Sequence, residues 1–432
     1  MWLSSRKPTP PPIVPTDLII PFNYWDDDNT LRGLSFDVTF RFDDVLDSDK
    51  LRRALSRLLE IGNWRKHEWL GDTRPAAWLY SDSPQLSICI ITFQDATLVT
   101  ITFLHTLMDI MGLYSILQGW SAVLRGQEDE VPPFVGFDYD PLAGLTKTTP
   151  PQPYVFADKL LIGARRLIFA LHYIFELFWY RQEEERVIFL PAKHLQRMRD
   201  SAMGELASQN ISNEKPFVSE SDVLLAWWTQ VVLRALKLAP RRMITIRNVF
   251  DCRPILTELG HIPSTGGTLV ANAAFSTFTF LSARHILEMP LSFVASRIRK
   301  SLEHQRNQEQ LQALLAIQKA TLDNEHHPTL FGDPSMFHFM CSNWGKARLF
   351  QVDFSAVAVG SASGIPLSER SNKIGRPSYV NVAGTKTYST RNTGVVIGKG
   401  SAGNRWLLYT LRSMAWASIE QQLRLLSEED GN

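Results

Sequence analysis

Residues 99–117, VTITFLHTLMDIMGLYSIL, change their hydrophobic period partway along, and that change constrains the chain more than any other stretch of it. Val99, Ile101 and Phe103 alternate with Thr100 and Thr102, the period-two signature of a strand with one face on a core. The run stops at His105, and residues 112–124 then carry the apolar stripe of a helix. A histidine at such a junction is held by packed structure on both sides, which is the placement a proton-transferring group needs. An unperturbed imidazole, with a pKa of about 6.5, accepts a proton from a hydroxyl near neutral pH. Asp109 stands one helical turn further on, able either to orient the ring or to turn away and anchor the loop through an arginine. Spacing alone does not separate this pair from an ordinary strand-end histidine and its neighbour.

The rest of the chain supplies the context. At 432 residues it exceeds one ordinary core, so two domains are expected. Its 44% apolar and 21% charged residues are those of a globular protein. With 45 basic against 44 acidic side chains, and no basic cluster with interleaved aromatics, nucleic acid is not an expected partner. Cys89, Cys252 and Cys341 are odd in number and lack a CxxC spacing, which suggests neither a disulfide framework nor a metal site and fits a reducing compartment. The opening MWLSSRKPTPPPIVPTDLII has no uninterrupted apolar core of a secretory signal, so a cytoplasmic protein is expected. No oligomer signal is visible, and a monomer is the expectation. Residues 160–180, LLIGARRLIFALHYIFELFWY, are strongly apolar, yet Arg165, Arg166, His172 and Glu176 argue against a spanning helix. A helix buried against the body, or a peripheral patch meeting a membrane or admitting apolar substrates, is the reading that remains.

Residues 48–61 place Leu51, Leu55, Leu58 and Ile61 on a helical repeat. Residues 131–153 are rich in turn formers and read as a long loop. The main boundary is placed near residues 200–215, giving domains 1–205 and 206–432. Beyond it, Ser219 and Asp222 form a capping-box-like helix opening. Strands are expected over 244–250 and 269–280, and a long polar helix from Leu291 to about Asn324. Strands and helices mix in both halves, which points to two α/β units.

Three motifs, in order, resemble the BAHD superfamily of CoA-dependent acyltransferases, particularly the fungal branch that acylates secondary metabolites. HTLMDIMG at 105–112 is similar to the family's HxxxD followed by glycine, SESDVLLAWW at 219–228 to the Ser/Thr-rich helix opening of its second domain, and SNWGKARLFQVDF at 342–354 to its Ser/Thr-x-Trp segment ahead of DFGWG. Two departures stand out: Ile110 occupies the usual glycine after the aspartate, and DFGWG is reduced to Asp353, Phe354, Ser355, Ala356 and Val357.

The resemblance implies an α/β fold of two chloramphenicol-acetyltransferase-like domains, each a mixed sheet with helices, with the active-site channel at their interface and a late segment crossing back to the first domain. It implies that His105 is the general base, that Asp109 holds the loop by pairing with an arginine, and that Ser342 and Trp344 stabilise the oxyanion. Arg253 is the candidate partner of Asp109, an ordinary Asp251–Arg253 pair being the alternative. No permanently bound cofactor is expected; acyl-CoA, by family default acetyl-CoA, is the co-substrate, with Ser219 and Asn272 as candidate contacts and a small hydrophobic alcohol of terpenoid or polyketide type as acceptor. A covalent route through Cys341, the same histidine used for cyclisation or condensation, and a non-catalytic binding protein on this scaffold are the alternatives.

Overall fold

A computed structural model describes residues 23–61, 85–136, 139–209, 216–264, 266–325, 328–360, 370 and 372–429. The N-terminal proline run lies outside them, as do residues 210–215 of the expected boundary. Along the chain the principal elements begin with β1 (Ser35–Phe42), α1 (Ser48–Ile61), β2 (Leu86–Thr92), β3 (Thr97–Leu104), α2 (Ile110–Leu124) and α3 (Gly163–Trp179). There follow β4 (Glu183–Leu190), α4 (Ala192–Gln209), α5 (Glu220–Leu236), β5 (Met243–Asp251) and β6 (Ala274–Ser282). The last are α6 (Leu291–Gln305), α7 (Gln308–Glu325), β7 (Phe337–Asn343), β8 (Tyr379–Ala383), β9 (Thr393–Lys399), β10 (Arg405–Arg412) and α8 (Ser413–Glu429).

These elements form two compact units. The first takes residues 1–143, 256–273 and 346–389; the second takes 144–255, 274–345 and 390–432. The expected halves, 1–205 and 206–432, are therefore displaced. The physical reason is β4, which pairs with β10 along its whole length, Glu183 opposite Arg412 through Leu190 opposite Arg405, and so belongs with the C-terminal strands. Two later segments return to the first unit, where one was expected.

The first unit is built on an antiparallel sheet in the order β8-β1-β3-β2. Its buried face carries Val38, Phe40 and Phe42 from β1 and Val99, Ile101 and Phe103 from β3, the alternation read from the sequence. Helices α1 and α2 meet closely: a Cβ on Gly119 would stand 2.7 Å from Leu58, and Trp120 donates its indole N–H to the carbonyl of Leu51 at 3.0 Å. Phe354, from the eroded signature, fills this core between Phe42 (centroids 5.4 Å apart) and Trp120 (4.8 Å). Asp353 beside it accepts from Ser355 and pairs with Arg376 at 3.0 Å. The aspartate and phenylalanine of that signature thus have packing and turn-fixing work, which the remaining positions can lose without disturbing it.

The second unit holds a six-stranded mixed sheet, β4-β10-β9-β7-β5-β6, in which β7 runs parallel to both β9 and β5. Helix α5 lies against it, buried from Asp222 to Leu233. Trp228 is fully buried, with the rings of Trp227, Tyr409 and Trp416 around it at 5.8, 5.2 and 6.5 Å. The capping box is present as read: Ser219 and Asp222 satisfy each other's backbone N–H groups at the start of α5. The strand expected over 269–280 is interrupted, with a two-residue strand at Thr268–Leu269 and β6 resuming only at Ala274. The long polar helix is likewise two, α6 and α7, broken at residues 306–307.

Removing the largest side chain from this helix-on-sheet core tests whether it holds the second unit together. Trp228→Ala is expected to cost about 3–5 kcal/mol of unfolding free energy, read from urea denaturation of the purified protein.

Candidate active site

His105 follows directly on β3, and its main chain is fixed on both sides. Its N–H donates to the carbonyl of Leu34 at 3.0 Å, and its carbonyl accepts from the side-chain amide of Asn272 at 2.8 Å. The ring is half-buried and meets Phe36 edge-on, centroids 5.1 Å apart. Nδ1 is enclosed and makes no hydrogen bond of ordinary geometry. Burial lowers the imidazole below its usual pKa, against the opposing pull of its own carbonyl, the Asp109 charge, the Met108 carbonyl and Asn272.

Asp109 is the N-cap of α2. One carboxylate oxygen accepts from the N–H groups of Met111 (2.9 Å) and Gly112 (3.0 Å), the other from the N–H of Ala273 (2.9 Å). A carboxylate offers roughly four acceptor positions, and backbone donors take three of them. Asp109 therefore binds the loop and the returning segment 256–273 together. Gly112 permits the close approach: a Cβ there would lie 2.0 Å from the carbonyl oxygen of Val270.

Asn272, expected at the pantetheine amides, braces the His105 segment in the structure. Both its side-chain hydrogens are engaged within the protein, one on His105 and one on Asp26 at 2.8 Å, and its backbone N–H also donates to Asp26 at 3.0 Å. Asp26 escaped the sequence reading because three successive aspartates, Asp26 to Asp28, gave no means of choosing among them. Burial pushes its carboxyl up to about 7, against the donors from Asn272, which pull the other way.

The other expected residues lie in the second unit. Ser342 is near the end of β7 with its side chain on the opposite face from Phe337, Phe339 and Cys341, which pack under the helices. Trp344 is 5% exposed, and its indole N–H donates to the Ser342 hydroxyl oxygen at 3.1 Å. That bond turns the serine's own hydrogen away from the indole. Asn343 donates to the Ser221 hydroxyl at 3.0 Å, tying this strand end to the first turn of α5. Ser219 directs its hydroxyl and its N–H to Asp222, so its own polar groups serve the cap. Glu220 and Asp222 of the same turn are paired with Arg405 and Arg299. Beside them opens a cleft of about 270 Å³ lined by Lys193, Gln196, Glu220 and Lys399. Neither lysine carried a motif that sequence reading could have singled out.

Arg253 donates to Asp251 at 3.0 Å, the ordinary pair named as the alternative. Cys341 is buried, and burial pushes its thiol up to about 11, which leaves almost no thiolate for a covalent route. Among the described residues no group of three or more His, Cys, Asp or Glu side chains could hold a metal ion.

A family model described as the Transferase family matches residues 73–366. Acetyltransferase sphE of Aspergillus fumigatus is 53% identical over 99% of this chain and 98% of its own length. Acetyltransferase adrJ of Penicillium rubens is 37% identical over 98% and 99%. Among solved structures, TRI101 of F. sporotrichioides in complex with coenzyme A and T-2 matches with a TM-score of 0.65 at 15% identity, covering 92% of this chain and 95% of that one. Vinorine synthase matches at 0.56 and 13% identity, over 95% and 93%. These likenesses carry the fold, the two-domain α/β architecture of chloramphenicol-acetyltransferase-like proteins.

The Asp26 brace has a testable consequence. Folding raises this carboxyl from 3.8 to about 7, so the folded protein keeps a proton that the unfolded chain releases, and stability falls as pH rises through that window. Asp26→Asn keeps an acceptor for Asn272 while removing the ionisation. Its urea-unfolding free energy is expected to stay flat across the window and to exceed that of the unsubstituted protein above neutral pH by a few kcal/mol at most.

Proposed function

The chain belongs to the Transferase family of BAHD-like acyltransferases, and from that premise we propose that it moves an acetyl group from acetyl-CoA to a hydroxyl of a small hydrophobic secondary metabolite. The observation that carries this reading is His105: an imidazole whose pKa burial lowers, with its backbone fixed on both sides. Nε2 takes the proton of the acceptor hydroxyl as that oxygen attacks the thioester carbonyl. The tetrahedral intermediate collapses with cleavage of the C–S bond, and the imidazolium returns the proton to the CoA thiolate. Positioning two substrates lowers the barrier most, and base catalysis contributes about 10²- to 10⁴-fold.

In this reading Ser342 donates its hydrogen to the oxyanion, and Trp344, already donating to the Ser342 oxygen, polarises and orients it. The first turn of α5 behind Ser219, with Lys193 and Lys399 in the adjoining cleft, receives polar parts of CoA; the two ammonium groups suit its phosphates. The acceptor in this reading is a terpenoid or polyketide alcohol; transfer to oxygen is supported by the name of a relative, O-acyltransferase pboC of Aspergillus ustus. Arg253 is kept as the proposed partner of Asp109, because a carboxylate with roughly four acceptor positions can take a guanidinium beside backbone donors.

Free thiol released from acetyl-CoA in the presence of a panel of polycyclic alcohols is the direct assay. His105→Ala is expected to lower kcat by about 10²- to 10⁴-fold, and near-normal turnover by that variant would remove the base from the mechanism. Because the base works neutral and burial depresses it, kcat/KM should be level through neutral pH and decline only below the ordinary histidine range. Thiol release without transfer to any alcohol would point instead to hydrolysis or to condensation with another nucleophile.

The Asp109–Arg253 assignment is tested separately by a double-mutant cycle with Asp109→Asn and Arg253→Gln. A coupling of about 0.5–3 kcal/mol in unfolding free energy is expected; strict additivity would return Arg253 to Asp251 alone.

A further inference from the structure

We propose that α3 seats this protein on a lipid bilayer carrying anionic headgroups. Helix α3 turns Glu176 inward together with the partly buried Phe169, Ala170, Tyr173 and Leu177, and leaves a broad apolar face outward. Glu176 accepts from Arg242 and, at 2.7 Å, from Arg412, side chains that are 22% and 4% exposed. Arg391 adds a bond to the Glu176 carbonyl at 2.9 Å, and Arg412 stacks on Tyr180 just past the helix. Leu167, Leu171, Ile174, Phe175, Phe178 and Trp179 point the other way, each 58–66% exposed. At 3.6 residues per turn these six fall within an arc of about 140° that contains no charged residue. Six large apolar side chains exposed side by side form the kind of contiguous patch that marks an interaction surface.

The width of the arc and the charges at its ends select the occupant. A second helix covers a narrow seam, about two residues in seven, and would leave the flanks of a 140° face (about 0.4 of the circumference) in water. Fluid acyl chains close over the whole of it. Cations stand at both ends: Lys159, paired with Asp158, before the helix, Arg165 in its first turn, and after it Arg181, whose guanidinium lies 4.6 Å over the Phe178 ring. They are about 25 Å apart, the length of the helix, and set where headgroup phosphates would meet them. Trp179 and Tyr180 close the C-terminal end with the aromatic type favoured at membrane interfaces. Among the described residues no helix is long and apolar enough to cross a membrane, so the contact is one of lying on the surface. The proposal stands apart from the acyl-transfer reading, and its test needs no substrate.

The test is co-sedimentation of the full chain with vesicles of phosphatidylcholine and phosphatidylserine. Binding is expected, weaker on phosphatidylcholine alone and at high salt, and reduced roughly tenfold or more by Phe175→Glu with Phe178→Glu. Circular dichroism and thermal melting establish that the double variant is folded, and Leu171→Gln serves as a milder second variant with the same expected direction. Three results would overturn the proposal: no vesicle binding by the unsubstituted chain, binding that neither variant alters, or a lipid-free dimer in sedimentation equilibrium that these substitutions dissociate.

Discussion

The Asp109 carboxylate is the interaction on which the first unit's candidate site depends. Three backbone N–H groups converge on it, two from the first turn of α2 and one from Ala273, a residue more than 160 positions later in the chain. Hydrogen bonds to a charged acceptor are the strong ones, and each of these donors would otherwise be an unmet group at a helix start or a strand break. The carboxylate thereby sets the position of the α2 N-terminus against the end of β3, and His105 sits in the few residues between. Asn272 acts on the same segment from the other side, holding the His105 carbonyl and anchored in turn on buried Asp26. The interruption between residues 269 and 274 now has a reason: a continuous strand there would engage the backbone donors of Asn272 and Ala273 in a ladder, and these two aspartates would lose them.

The second unit solves a different problem, that of presenting a small polar group at the end of an interior strand of a large sheet. Alternation along β7 sends Phe337, Phe339 and Cys341 under the helices and Ser342 to the opposite face. Trp344 then folds back so that its one indole hydrogen reaches the serine oxygen, while Asn343 reaches Ser221 on α5. Helix α5 can serve as the fixed support because it is buried over most of its length and capped by a complete reciprocal box. The acid groups of its first turn are neutralised by Arg299 and Arg405, which removes a repulsion that an anionic ligand near this turn would otherwise meet.

Helix α3 carries apolar residues on both sides, and the broader apolar face looks outward rather than to the core. It is held by the partly buried Phe169, Tyr173 and Leu177 and by ion pairs of low exposure, Glu176 with Arg242 and Arg412. Such pairs recover their desolvation cost only when well paired, and Arg391 and Tyr180 complete the arrangement. A helix kept in this orientation at that cost is consistent with an apolar environment on its outer side.

Local pattern settled what depends on near neighbours in sequence: the period change at His105, the α1 repeat, the Ser219–Asp222 box and the strand over 244–250 were all legible, because each is decided by side-chain alternation or by a cap a few residues long. The motif order HxxxD, SESD and S-N-W was enough to reach the acyltransferase family, and the comparisons bear that out. The division into units was not legible, since it turns on β4 finding β10 more than 200 residues away, and strand pairing at that range leaves no mark in either strand alone. For the same reason only the tertiary structure could choose Asp26 from three aspartates, turn Asn272 into a brace for the histidine, and decide which face of residues 163–179 looks outward. Sequence determines which faces an element has; long-range contacts decide what each face meets.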